Sequence, residues 1–369
     1  MTGSSAIRVV SLFSGCGGTD LGFEGGFTYL SKRYPRTRFK TVWANDINEF
    51  ACETFRKYFG DVIKCSDVTR TDFKKIPDCD VILGGFPCQD FSVIWKRRGI
   101  NSDRGSLYRF FSESVKVKRP KVFLAENVKG LLSANGGGAI MQICRDFHEL
   151  GYRLYVDCYN FADYGLPQLR ERVLITGVRE DIKQDFVKPE PVCTAQSYRT
   201  ASEALEGVRK VKANNEPLRI LERTKKFIAL IPEGGNFKDV DVDHELYVKG
   251  MISHVYRRLH SKKPATTIIA GGGGGTWGYH HSEPRPLTNR ERARLQGFPD
   301  SFEFVGSITE VRRQIGNAVP PAGIYPFARQ IERLFFLGEQ PKIVNNGLSS
   351  FRYRYPAGQL LFKELAPAL

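Results

Sequence analysis

Cys88 lies in GGFPCQDFS (84–92), at the carboxyl end of the apolar run CDVILGG (79–85). Pro87 fixes the backbone in front of it. The stretch that follows carries Lys96, Arg97, Arg98, Arg104, Arg109, Lys116, Lys118, Arg119 and Lys121 against only Asp103 and Glu113. Nearby cations lower a thiol's pKa and favour the thiolate, the form that attacks carbon. The alternative is a buried structural thiol, which is the default reading for Cys16, Cys52, Cys65, Cys79, Cys144, Cys158 and Cys193. These are scattered, with no CxxC pair and no Cys/His cluster, so neither a metal site nor a disulfide framework is expected.

Two further segments carry charge where a reaction would use it. In AENV (125–128), Glu126 ends an apolar run. A carboxylate so placed has a raised pKa and serves as a general acid or hydrogen-bond donor. A helix cap or a salt-bridged strand end is the equal alternative. In PQLRERV (167–173), Arg170 and Arg172 alternate on one face of a strand start. Two guanidiniums there suit an anionic or carbonyl-rich ligand; a solvated edge is the plain alternative.

A third constellation points to a nucleoside. FSGCGG (13–18) follows a strand, and its glycines allow a sharp turn and a close approach to a ligand. About thirty residues on, the next strand ends at Asp46, placed to accept hydrogen bonds from ribose hydroxyls. Asp67 follows the next apolar stretch. Taken singly, each acid is better read as a cap or a solvated loop residue. Together, and without a GxGxxG cradle for pyrophosphate, they suit a compact nucleoside such as S-adenosylmethionine.

The elements that must hold these residues alternate. Strands are expected at 7–13, 40–46, 79–85, 121–127, 153–160 and 172–178, with helices at 47–60, around 106–118 and at 139–151. That order argues for βαβ units and a mostly parallel sheet, whose strand ends gather ligands. From 186 to 285 periodicity fades, prolines, glycines and charges increase, and five glycines run together at 271–275. We read a second, smaller, irregular domain there. A helical pattern returns in LTNRERARLQGF, and a last helix at 320–338 is expected to pack back on the sheet, so the large domain is built from both ends of the chain. The tail after 340 reads as loop or weak structure.

With 41% hydrophobic residues among 369, the chain can form a sizeable core, and wholesale disorder is excluded. A net charge of +15 points to a polyanion partner, a merely basic soluble protein being the alternative. No apolar run reaches a membrane span, and MTGSSAIRVVSLF lacks the parts of a signal peptide. A cytoplasmic location and no membrane partner are expected.

SLFSGCGGTDLGF, ANDI, the aspartate of SDV, GGFPCQDFS, AENV, QLRER, RPLTNRERARLQGFPDSF and RQIGNAVPP stand in this order. Together they resemble the bacterial cytosine-5 DNA methyltransferase family, over residues 9 to about 180 and again from 286 to about 328. The resemblance implies an α/β, Rossmann-like S-adenosylmethionine-dependent fold: a mixed, mostly parallel sheet flanked by helices, with a smaller irregular target-recognition domain. It implies a catalytic domain at 1–185 plus about 306–345, a recognition domain at about 186–305 with RLQGFP at its hinge, and a tail at 346–369.

It also implies roles for the matching positions. Phe13, Gly15 and Gly17 would line the cofactor's amino-acid moiety and sulfonium, Asp46 its ribose, and Asp67 and Val68 its adenine. Pro87 and Leu107 would contact the cofactor or its pocket, with Asn317 and Ala318 closing it. Ile47 stands where the family often has an aromatic, so adenine would pack on an aliphatic face. Cys88 would add to the target cytosine, which Glu126, Arg170 and Arg172 would hold. The segment 92–105, with Ser92, Lys96, Arg97 and Arg98, is the expected mobile loop closing over DNA. Arg257, Arg258, Lys262, His280 and His281 are candidate base readers, phosphate contact or plain surface being the alternative for each. Thr267 would mark the recognition core. The implied partner is double-stranded DNA, with a separately encoded restriction endonuclease possible and a monomer typical. Two other readings stand beside this one: methylation of cytosine in structured RNA, and a catalytically silent DNA-binding regulator.

Overall fold

Val9, Val10 and Leu12 of β1 (Ile7–Leu12) are all fully buried. A strand that is apolar on both faces belongs inside a sheet covered by helices on both sides, and β1 sits there. In this computed structural model the residues described are 5–87, 107–247, 255–271 and 278–339, with the backbone of 351–353.

After β1 come helix α1 (Gly18–Glu24), a hairpin of β2 (Phe27–Tyr29) and β3 (Lys32–Tyr34), then β4 (Phe39–Asp46), α2 (Glu49–Phe59) and β5 (Ile63–Cys65). Next follow β6 (Val81–Gly84), α3 (Leu107–Lys118), β7 (Val122–Val128), α4 (Gly138–Glu149), β8 (Tyr152–Asn160) and β9 (Glu171–Arg179). Then come α5 (Ala201–Leu205), α6 (Glu222–Leu230), α7 (Asn289–Leu295) and α8 (Ile308–Asn317); α9 (Pro321–Phe335) and β10 (Phe351–Tyr353) come last.

The main sheet runs β10-β8-β9-β7-β6-β1-β4-β5. From β5 to β7 every pairing is parallel; β9 is antiparallel to β7 and to β8, and β10 antiparallel to β8. The six expected strands are β1, β4, β6, β7, β8 and β9. Two strands of the sheet go beyond that expectation. β5 is only three residues long, too short to show a period, and β10 lies in the tail read as loop: Phe351–Tyr353 instead pairs with Leu154–Val156 of β8.

Alternation along each strand divides the core. Val10, Ile82, Phe123 and Ile175 face one layer, where Phe111 of α3 and Phe147 of α4 meet them. Val9, Leu83, Leu124 and Leu174 face the other, covered by Phe23 of α1 and by Ile324, Phe327 and Ile331 of α9. Each such fully buried side chain contributes about 1.5–3 kcal/mol. The sheet is therefore sealed by a helix from the far end of the chain, as the sequence implied. Pro321 opens α9 at a position where a missing N–H costs nothing. The Glu332 carboxylate accepts the Arg38 N–H at 2.7 Å, tying α9 to the start of β4.

Thr288 and Glu291 form a reciprocal capping box that starts α7. The helix is polar in sequence yet buried throughout. Its arginines staple loops: Arg290 donates to the carbonyls of Ala213, Pro299 and Phe302, and Arg294 to those of Ala204 and Glu206 and to Asp300. The core there gathers Ala204, Leu259, Ile268, Leu295 and Phe298, and continues into Ile315 of α8 and Cys16 beside the glycine turn.

Candidate active site

β7 ends in the sequence Glu126-Asn127-Val128, and β6 beside it ends at Gly84, with Gly85 just after it. A side chain at Gly85 would lie 3.3 Å from the Glu126 carboxylate, so the glycine leaves that carboxylate its place. Asn127 is buried and donates its side-chain amide to the Phe86 carbonyl at 2.9 Å. The backbone leading to Pro87 is thus tied to β7. Cys88 itself, Ser92, Lys96, Arg97, Arg98 and the expected closing loop 92–105 lie outside the described residues.

Glu126 pairs with Arg172 at 2.9 Å, both side chains being nearly buried. Burial raises the Glu126 pKa, while Arg172 and then Arg170 pull it down. The net effect is upward, toward the protonated form that can donate a hydrogen bond. Of the alternatives left open, the salt-bridged strand end describes its geometry, and a cap does not. The pair adjoins a cleft of about 430 Å³ lined by Lys129, Asn160, Leu169, Glu171, Arg172 and Thr267. Lys129 and Glu171 form an ion pair at its rim at 3.2 Å.

Arg170 departs from expectation. It is 1% exposed, and its guanidinium donates to the carbonyls of Ile268, Gly316 and Ala318 at 3.0–3.2 Å. It precedes β9 rather than sharing an open strand face with Arg172. Its two terminal nitrogens donate to the chain itself while its Nε is buried without a hydrogen-bond partner; it stands behind the Glu126–Arg172 pair, where burial brings its pKa down to about 9.

On the other side of β1, the glycine turn and the acids come together. Phe13 and Gly15 have left-handed φ of 53° and 55°. At Gly15 the direction a side chain would take is open. The Asp46 carboxylate accepts the Gly15 N–H at 2.7 Å and the Asn48 N–H at 2.9 Å, and burial raises its pKa. A carboxylate has about four lone-pair sites, so acceptor capacity remains. Ile47 beside it is 70% exposed, a large aliphatic side chain facing open space. Asp67 caps a short turn by accepting the Thr69 N–H at 3.0 Å, which holds its pKa low. Val68 turns its side chain into the core, leaving only its backbone toward a ligand. Pro87 is exposed, Leu107 half-buried and Asn317 exposed at the end of α8.

Two of the expected ligand-lining residues are otherwise employed. A side chain at Gly17 would lie 2.4 Å from the Phe59 ring, and its N–H donates to Ser14; this glycine serves the packing of α1 on α2. Ala318 is buried, its methyl facing Gly18 and its carbonyl taken by Arg170 and by Gln296.

Among the base-reading candidates, Arg258 donates to the carbonyls of Ile231, His280 and His281, which holds the loops together and leaves it unfit to read bases. His280 is buried, its ring accepting the Ser282 and Glu283 N–H groups. The Thr267 hydroxyl donates to the Leu169 carbonyl at 2.8 Å, at the cleft's edge. Arg257 and His281 are half-buried and Lys262 exposed. Asn127, Gln168 and Gln296, whose buried side-chain amides tie the segments around the site together, are not singled out by sequence reading; the signal for them is their place inside AENV, QLRER and RLQGFP.

A doubly covered sheet with a glycine turn, acidic strand ends and a buried carboxylate–guanidinium pair defines a nucleoside-dependent transferase of Rossmann-like type. Residues 7–333 match the C-5 cytosine-specific DNA methylase family, and the chain belongs to it: it is a DNA cytosine-5 methyltransferase. It is 55% identical over 340 residues to the type II methyltransferase M.NgoFVII of Neisseria gonorrhoeae, covering 90% of this chain and 88% of that one. It is 41% identical over 354 residues to the type II methyltransferase M.BbvI of Brevibacillus brevis, covering 91% and 93%. The fold is also that of the S. pombe Dnmt2 methyltransferase, with a TM-score of 0.63, 18% identity and coverage of 89% and 100%. Neither the RNA reading nor the silent-regulator reading is favoured by the family or the relatives. Among the described residues, no helix is long and apolar enough to cross a membrane, and no metal-binding cluster occurs.

Proposed function

We propose that the chain methylates carbon 5 of a cytosine turned out of double-stranded DNA, with Cys88 as the covalent nucleophile. Carbon 5 of cytosine is unreactive until a thiolate adds to carbon 6 and makes it enamine-like. Charge then develops at N3. Protonated Glu126 supplies a proton there, while Arg172 stabilises the O2 carbonyl. S-adenosylmethionine, when bound, supplies a methyl on a positive sulfur as the electrophile for carbon 5. Loss of the carbon 5 proton then expels Cys88. Neither face of a stacked base is within reach of these groups, so the base must leave the helix, at a cost of a few kcal/mol.

The observation that carries this reading is the buried Glu126–Arg172 pair beside the strand end that leads to Cys88. For the cofactor, the remaining lone pairs of Asp46, the bare Ile47 surface and the open side of Gly15 fit ribose, adenine and the amino-acid moiety. Phe13, Asp67, the Val68 backbone, Pro87, Leu107 and Asn317 complete the proposed seat. Ser92, Lys96, Arg97 and Arg98 are proposed to close on DNA, with Arg257 and Thr267 facing it. We keep 186–305 as the recognition unit, hinged at RLQGFP, and 1–185 with 306–345 as the catalytic one.

Relatives that are type II methyltransferases support a modification role; we further propose that the protein acts in the cytoplasm as a monomer, protecting DNA from a separately encoded endonuclease. Bisulfite sequencing of DNA from cells expressing the protein tests the activity, with converted and protected cytosines giving the target. Cys88→Ala should abolish methylation and leave duplex binding intact. Turnover surviving in that variant refutes the covalent route.

A further inference from the structure

Between the proposed cofactor seat and the base pocket lies a closed ring of hydrogen bonds. The Ile268 N–H donates to Gln168 Oε1 at 2.8 Å. Gln168 Nε2 donates to Gln296 Oε1 at 2.8 Å, and Gln296 Nε2 to the Ala318 carbonyl at 2.6 Å. Arg170 closes the circuit, reaching Ala318 at 3.2 Å and returning to the Ile268 carbonyl at 3.0 Å. All five residues are buried, the two glutamine side chains fully so.

Three residues of the ring have a neighbour in one of the two sites. Ile268 follows Thr267 at the cleft's edge, Ala318 follows Asn317 of the cofactor seat, and Arg170 lies behind Glu126 and Arg172. A buried polar circuit is stable only when complete, because an opened one strands desolvated amides at about 1–3 kcal/mol each. The ring therefore favours one joint arrangement of Ile268 and Ala318. Gly316 reinforces it: a side chain there would meet the Ala270 nitrogen at 2.2 Å, so α8 and the 268–270 segment touch backbone to backbone.

We propose that Gln168, Gln296 and Arg170 are positioning residues whose ring couples the two sites, so that cofactor and DNA each tighten the binding of the other. The proposal rests on the functional reading above, and it identifies what transmits between the sites. Coupling of this kind is reciprocal and is typically worth about 5- to 150-fold in affinity.

The test uses the full chain, S-adenosylhomocysteine and a short duplex carrying the site mapped by bisulfite sequencing. The ratio of duplex affinity with and without S-adenosylhomocysteine is measured for wild type, Gln296→Met and Tyr29→Phe. Tyr29 donates to the Arg294 carbonyl at 2.6 Å, is buried nearby and lies outside the ring, so it serves as the matched loss of one buried hydrogen bond. The wild-type ratio should be at least about fivefold. Gln296→Met should bring it toward one, while Tyr29→Phe lowers the melting temperature and leaves the ratio unchanged. Gln168→Met opens the ring at another link and should reproduce the loss, which keeps the test decisive if Gln296→Met fails to fold. A wild-type ratio of one, or a ratio unmoved in both ring variants, overturns the coupling. Wild type that binds neither ligand and leaves cytosine unmodified instead overturns the functional reading on which the coupling rests.

Discussion

Glu126 is the residue on which the proposed chemistry turns, and its environment gives it a pH signature. Burial raises its pKa and Arg172 opposes the rise. As proton donor it is active only while protonated, so activity should fall as pH rises through that raised value. Glu126→Gln should lower kcat by about a hundredfold or more and remove the alkaline limb of the kcat/KM profile; a limb that persists assigns it to another group. A second buried acid lies away from the reaction. Asp20 accepts hydrogen bonds from Ser11 and Thr41, and burial still lifts its pKa to about 7. The unfolded chain gives up this proton near pH 4. The fold therefore loses stability as pH rises from there to 7, and stays at the lower level above. Asp20→Asn should be about 2–4 kcal/mol more stable than wild type at pH 8, with a gain that shrinks toward pH 5; thermal melts at both values measure it, and an equal gain at both argues against the assignment. Glu126 and Arg172 are legible in the sequence because a carboxylate and a guanidinium at strand ends are conspicuous. Arg170 misleads for the same reason: spacing puts it level with Arg172, but only the three carbonyls around it reveal that its charge is turned inward.

Among the elements, the strands are the most legible, because parallel strands buried on both faces read as unbroken apolar runs. Helix α7 shows in its pattern, while its burial does not, since three arginines and a glutamate in seven residues look solvated. Arg290 and Arg294 reach carbonyls as distant in sequence as Ala213 and Ala204, which no local pattern displays. The contact of α8 with the 268–270 segment is likewise invisible before folding. There, Gly316→Ala should cost about 1–3 kcal/mol, since the added methyl meets backbone that cannot step aside. Urea denaturation checks this; a variant as stable as wild type would mean the two elements part easily.

Across the whole molecule, a charge of +15 makes binding to a polyanion salt-dependent. The logarithm of duplex affinity should fall linearly with the logarithm of salt concentration, and the triple change of Lys96, Arg97 and Arg98 to Ala should flatten the slope by about 0.9 for each phosphate that these side chains neutralise. A slope unchanged in that variant places the neutralising cations elsewhere on the surface. The chain's two-ended architecture is legible as well, because the apolar period at 320–338 has no other face to cover. That architecture bears on how the protein is made. Ile324, Phe327 and Ile331 shield Val9, Leu83 and Leu124, which leave the ribosome some three hundred to two hundred residues earlier. Nascent polypeptide halted before Pro321 would hold that sheet face bare to water, prey for proteases rather than a half-working catalyst, so competence waits until Pro321–Phe335 has been made.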